Sequence, residues 1–282
     1  MTSQLRRWHV LSTVAILALA AVSSLLGLLR PGHYRDAPAL VAQYQLQDLT
    51  VLLVGLPVLA VGLRYAMRGS PRGRIVWLGA LAYSTYTWLS VAVQVSFNDL
   101  FLAYVALFSL SLFTLVGGLV TTDAAAVREA LEGRIRTSLY AGALVVVGLG
   151  LAALWLSDVA LALASGTVPL VVLEAGPQAM ASHVLDLGVV VPSILLSAAW
   201  LYRRRTWGYV FAGVVLVLGA TLAASISAAT VVFALGDAVT ITPVAAVFTF
   251  FPVAVAAVLA VRYVLAMDGG RPPAGGEPRQ SA

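Results

Sequence analysis

The chain contains no cysteine, which excludes disulfide scaffolds, thiolate metal sites and dithiol redox chemistry. Lysine is missing as well, and all 17 basic residues are arginine. Without lysine there is no Schiff base, hence no retinal pigment, and no Walker-type phosphate loop. Charge of either sign is scarce, at 10% of 282 residues. Apolar side chains take its place: 61% of residues are hydrophobic and the mean hydropathy is +0.95. A soluble domain cannot hide that much apolar surface, so composition alone places the chain among integral membrane proteins.

A helix needs about 20 mostly apolar residues to cross a hydrocarbon core of roughly 30 Å. Eight segments meet that length: Trp8–Leu29, Asp48–Met67, Ile75–Val95, Leu100–Val120, Thr137–Leu156, Val184–Tyr202, Gly208–Phe233 and Pro243–Met267. Arg6 and Arg7 give the first a likeness to a signal peptide, but its apolar part is long and no clean small-x-small site follows, so it reads as a span. The fold class is therefore an all-α polytopic membrane protein of eight transmembrane helices. Residues 159–173, "VALALASGTVPLVVL", are too short and too interrupted for a ninth crossing and read as a surface hairpin or a re-entrant piece.

The arginines set an orientation. All but Arg30 and Arg35 fall in the termini or in the loops after the second, fourth and sixth runs. The positive-inside bias then puts both termini in the cytoplasm of a cytoplasmic membrane. A pI near 9.8 points to no nucleic-acid partner, because these loops account for the charge; the partner to expect first is the lipid bilayer. Within "TTDAAAVREALEGR" (121–134), residues 122–134 have Thr122 or Asp123 as N-cap and read as an amphipathic connector on the inner surface. It divides a membrane domain of residues 1–268 into halves of about 1–121 and 135–268. The polar, Gly/Pro-rich end, 269–282, reads as a disordered cytoplasmic tail.

Two stretches are alike. "QLQDLTVLLVGLP" (45–57) and "HVLDLGVVVP" (183–192) each place an Asp-Leu at the head of an apolar run that contains a proline and ends at arginine. With Asp48 and Asp186 matched, Tyr83 and Thr87 fall opposite Thr221 and Ser225, the pattern of two four-helix halves in parallel repeat; chance similarity between apolar helices is the other reading. Pro38 and Pro177 suit a helical first turn, which puts both aspartates inside their helices. The uncharged stretches that follow, Leu49–Leu63 and Leu187–Tyr202, span about 22–24 Å at ~1.5 Å per residue. Both fall short of a roughly 30 Å core, so each carboxylate lies near one interface. A charge there faces protein or water, as an interfacial group held by an Arg such as Arg35 or by a tyrosine, or as a functional one.

The third run holds the densest polar set. Tyr83, Tyr86, Thr87, Ser90 and Gln94 recur at helical spacing on one face, and Asn98 prolongs it. Thr221, Ser225 and Ser227 are a smaller counterpart among alanines, and suit helix packing. Asp48, Asp186, His183 and the Tyr83–Asn98 stripe are the candidate ligand-binding residues, lining an outward-facing polar cavity. His183 and Asp186, with His33 and Asp36 at the same spacing, form a weak candidate metal set. No cofactor is expected: no histidine pair suits a haem, and no catalytic serine or zinc-protease motif is present.

"SFNDLFLAYVALFSLSLFTLV", behind the Tyr/Thr-rich run, together with "HVLDLGVVVP", Arg203–Arg205 and Trp207-Gly208-Tyr209, resembles a group of prokaryotic polytopic integral membrane proteins with no established activity. The likeness covers roughly Gln45–Thr122 and His183–Phe233; it implies the membrane class and a common origin, and brings no functional residues. Three functions fit the sequence: a carrier or binder of a small or amphiphilic ligand, a non-catalytic subunit or scaffold for other membrane proteins or lipids, and an outward-facing metal-dependent enzyme.

Overall fold

A computed structural model describes residues 5–235 and 243–268. Among the described residues every regular element is helical and none is a strand. The α-helices are α1 (Arg7–Leu29), α2 (Pro38–Thr50), α3 (Leu56–Met67), α4 (Pro71–Gln94), α5 (Phe101–Val120), α6 (Ala124–Leu131), α7 (Thr137–Ser165), α8 (Leu170–Ala175), α9 (Ala181–Leu185), α10 (Val191–Tyr202), α11 (Thr206–Leu235) and α12 (Pro243–Leu265). Wider π turns, Val51–Gly55 and Asp186–Val190, join α2 to α3 and α9 to α10.

Seven continuous helical segments are long and apolar enough to cross a membrane: Arg7–Leu29, Leu40–Met67, Pro71–Gln94, Phe101–Val120, Thr137–Ser165, Pro177–Tyr202 and Thr206–Ser225. The molecule is a multi-pass helical membrane protein. The eighth expected run coincides with α12, within which Val253–Leu265 is a shorter apolar helix. The expected tail, 269–282, lies outside the described residues.

One expectation needs correcting. Residues 159–173 form no hairpin: α7 runs on through Ser165, because alanine and leucine are strong helix formers and nothing stops them before Gly166. That glycine sits at φ 65° and ends the helix, and α8 follows. The connector behaves as its sequence suggests. Asp123 accepts the Ala126 N–H at 3.0 Å, and α6 buries Ala124, Val127 and Leu131.

The two π turns have one cause. Pro57 and Pro192 each stand second in the α-helix that follows, without an N–H to donate and with a ring that would crowd the carbonyl four residues back. Widening the preceding turn relieves that crowding, and the Leu56 N–H reaches the Val51 carbonyl instead. The hairpins beyond are also built alike. α3 turns into α4 through Gly69, at φ 74°, and α10 into α11 through Arg204, at φ 51°. A Cβ on Gly73 would meet the Ala66 nitrogen at 2.4 Å, and one on Gly208 the Leu201 nitrogen at 2.5 Å. A single interval separates Pro57 from Pro192, Arg68 from Arg203 and Gly73 from Gly208. In that register Asp48 aligns with His183, one turn away from the match with Asp186 that the Asp-Leu pairs suggest.

α4 and α11 pack against each other at the centre. Gly79 permits the approach, since a Cβ there would meet Val217 at 2.4 Å and the Val214 carbonyl at 3.0 Å. α3 and α5 flank α4, α10 and α12 flank α11, and α1 and α7 close the two sides on α5 and α10. Several polar side chains inside find partners on neighbouring helices. Trp77 Nε1 donates to Thr13 Oγ1 at 3.1 Å and Tyr263 to the Tyr209 carbonyl at 2.6 Å. Arg74, 6% exposed, donates to the Gly118 and Thr121 carbonyls and to the hydroxyls of Thr121 and Thr122. It thereby caps the negative end of α5.

Candidate functional site

Asp48 and Asp186 lie at the end of the molecule opposite the arginine-rich hairpins, and both are buried, at 5% and 7% exposure. Removing a carboxylate from water is costly unless donors replace the lost hydration. The two find different donors and share none.

Asp48 is held from the loop between α1 and α2. Tyr34 donates to its Oδ2 at 2.6 Å. Burial first, and then the Asp48 carboxylate, push the Tyr34 phenol up from its ordinary value of 10, which keeps it the donor. Gly27 of α1 makes room: a Cβ there would stand 2.0 Å from Asp48 Oδ2. Next to this pair, His33 Nε2 meets the Tyr104 hydroxyl at 2.9 Å. Burial lowers the His33 pKa from its ordinary 6.5. Asn98 caps the approach to α5, its Oδ1 accepting the Leu100 N–H at 2.9 Å. Asp36 binds the Ser96 backbone and hydroxyl, and Arg30 pairs with Asp99 across the exposed rim. Tyr34, and no arginine, is therefore the partner of Asp48.

Asp186 opens the second π turn. Trp155 Nε1 of α7 donates to its Oδ2 at 2.9 Å, and the Tyr86 hydroxyl of α4 stands near the same carboxyl. One turn earlier, His183 Nε2 meets Asp158 Oδ2 of α7 at 3.0 Å. The His183 and Trp155 ring centres lie 4.1 Å apart. Because a carboxylate only accepts, His183 carries its proton on Nε2 in the neutral ring, which leaves Nδ1 an acceptor. Nδ1 is buried and has no hydrogen-bond partner. Asp158 is about a third exposed, with a side-chain value of 32%.

The structure thus joins His183, Asp186 and Tyr86, and sets Asp48 and Asn98 in another cluster. Tyr83 sits on α4 with its hydroxyl 3.3 Å from Ser225 Oγ of α11. Thr87, Ser90 and Gln94 are buried in the packing of α4, and the Gln94 carbonyl accepts from Tyr44 at 3.2 Å. Among the described residues no three metal-ligating side chains gather; His33 and His183 belong to separate clusters. The partners that sequence reading passed over are Tyr34, Tyr104, Trp155 and Asp158. For the last a signal existed: Asp158 interrupts the apolar end of α7 much as Asp48 and Asp186 interrupt theirs, but it lies beyond Leu156, where the expected span ends.

A cavity of about 360 Å³ has α4 as its floor, α5 on one side, and α9, α10 and α11 on the other. Its walls are mainly leucine, valine and isoleucine, closed at the arginine-rich end by Trp200 and Phe211. Thr85 and Ser197 also line it, but both hydroxyls bond carbonyls of their own helices. Along the second hairpin arm it runs from Leu185 to Trp200, about 20 Å at ~1.5 Å per residue. Of the expected site residues only Tyr86 lines it. A separate cavity of about 280 Å³ adjoins the Asp48 cluster, lined by Gly27, His33, Tyr34 and Gln45 among others.

No protein-family model, no curated protein and no solved structure matches this chain.

Proposed function

We propose that the protein binds, and in its cycle carries, an amphiphile within the bilayer, the chain lying in the large apolar cavity and the head at Tyr86, Asp186 and His183. The observation that carries this reading is Tyr86, which lines a mainly apolar cavity and stands beside the buried Asp186. A long apolar slot with a polar group at one end is complementary to a ligand with one apolar and one polar part. The slot lies among helices inside the hydrophobic segments, so its occupant arrives from the membrane.

In this reading α12 completes eight spans and both termini are cytoplasmic, with the clusters on the outer side. The matched hairpins at Pro57 and Pro192 are then cores of two four-span halves. The slot then lies between the two halves, with α4 and α5 of the first and α9, α10 and α11 of the second as its walls.

The test fills the slot. Ala82 lines the cavity from α4, and Ala82→Phe places a ring inside it. Native mass spectra of the wild-type protein released from mild detergent are expected to carry an amphiphile adduct, with occupancy at least tenfold lower in the variant. Equal occupancy in a folded variant rejects the cavity as the binding place.

A further inference from the structure

The head-group end of the slot has a charge and a donor pattern of its own. Behind Tyr86, outside the residues that line the slot, stand two carboxylates, Asp158 and Asp186, and one histidine, His183. The groups around Asp186, the Trp155 indole that donates to it and the nearby Tyr86, carry no charge, and no arginine pairs with either carboxylate among the described residues. With both carboxylates ionised the cluster is net negative whether or not His183 holds a second proton. His183, 2% exposed, adds a second and independent feature: its Nε2 is committed to Asp158 while Nδ1, a buried acceptor, has no partner. Buried acceptors of this kind cost stability until a donor reaches them.

Resting on the amphiphile reading above, we propose that the ligand's head is a primary ammonium: a single-chain or lipid-like amine whose positive charge pairs with Asp186 and whose N–H donates to His183 Nδ1. The recognition is specific in three ways. A carboxylate pair selects a cation over a neutral or anionic head. A lone-pair acceptor beside it selects a head that has N–H donors, which a quaternary ammonium lacks. The faces of Trp155, which donates to the same carboxylate, and of the nearby Tyr86 add attraction for a cation of either kind. Asp158, a third exposed, gives the head a hydrated approach.

The experiment compares probes with one dodecyl chain and different heads: dodecylammonium, dodecyltrimethylammonium, dodecanol and dodecyl sulfate. Each is titrated at pH 7 against wild-type protein, Asp186→Asn and Ala82→Phe, with occupancy read by native mass spectrometry. The expected result is that wild type binds dodecylammonium at least tenfold more tightly than dodecanol and several-fold more tightly than the trimethyl head. Asp186→Asn brings the amine down to the level of dodecanol while dodecanol binding is unchanged, and the latter shows that the variant is folded. A wild-type protein that binds dodecanol or the sulfate as well as the amine overturns the ammonium head and leaves the slot standing. If Asp186→Asn does not fold, that wild-type ranking decides alone. Binding of every probe equally by wild type and Ala82→Phe, or of none by either, overturns the slot itself.

Discussion

At the scale of single residues, Gly27 is the sharpest case. Alanine normally stabilises a helix interior over glycine by about 1 kcal/mol, yet a Cβ on Gly27 would fall 2.0 Å from Asp48 Oδ2 and 2.7 Å from the Tyr34 hydroxyl. One of the two groups must leave, and the bond that keeps the carboxylate satisfied goes with it. Gly27→Ala should therefore lower stability by about 1–3 kcal/mol, the cost of overpacking and of a stranded buried polar group. Gly142→Ala in α7, where a Cβ meets nothing within 4 Å, should be neutral or stabilising by up to about 1 kcal/mol. Thermal unfolding of the two variants in one detergent decides; a Gly27→Ala protein as stable as Gly142→Ala would show that Asp48 does not depend on this contact. The aspartates themselves were legible in the sequence, because a carboxylate heading an apolar run demands donors. Their donors were not, since Tyr34 comes from a connecting loop and Trp155 from a different helix, and only the packing of α1 on α2 and α7 on α10 brings them in.

At the scale of elements, composition and hydropathy placed nearly every helix, and Pro38, Asp123 and Gly166 marked starts and stops through chemistry that needs no tertiary context. Two features escaped that logic. Proline inside an apolar run signals a kink, but that it takes the form of a π turn emerges only once the following arm is fixed against α4 or α11. The register between the two hairpins escaped too: matched Asp-Leu pairs mislead by one turn, while the prolines and the inter-arm glycines keep step, because close backbone approach constrains position more tightly than a side chain that can be held from several directions. The hairpins supply their own test. A Cβ on Gly73 meets backbone atoms of Tyr65 and Ala66 at 2.4 Å, and one on Gly208 meets Trp200 and Leu201 at 2.5 Å. Backbone, unlike a side-chain tip, cannot swing aside. Gly73→Ala and Gly208→Ala should each destabilise by roughly 2 kcal/mol or more, and by similar amounts. A large effect in one and none in the other, measured by the same unfolding assay, would end the equivalence of the hairpins.

At the scale of the whole molecule, the open matter is which way the helices run, and the missing cysteines make it tractable. Any introduced thiol is the only one in the chain, so its labelling by an impermeant maleimide reports a single position. Glu129 on α6 and Arg205 between α10 and α11 are exposed at the arginine-rich end, and Ala37 before α2 and Thr167 after α7 are exposed at the other. With the seven continuous segments alternating across the bilayer, Ala37→Cys and Thr167→Cys face one compartment, and Glu129→Cys and Arg205→Cys the other. Arginine retained on the cytoplasmic side makes the first pair the outer one. Intact cells should label Ala37→Cys and Thr167→Cys, and label Glu129→Cys and Arg205→Cys only after permeabilisation. The reverse pattern would invert the molecule and turn the Asp186 cluster toward the cytoplasm. A split within either pair would break the count of crossings, and with it the two-half arrangement, because Ala37 and Thr167 share a side only if an even number of spans separates them. The first outcome would also fix where an amine head must come from: the outer leaflet, where Asp158 meets water.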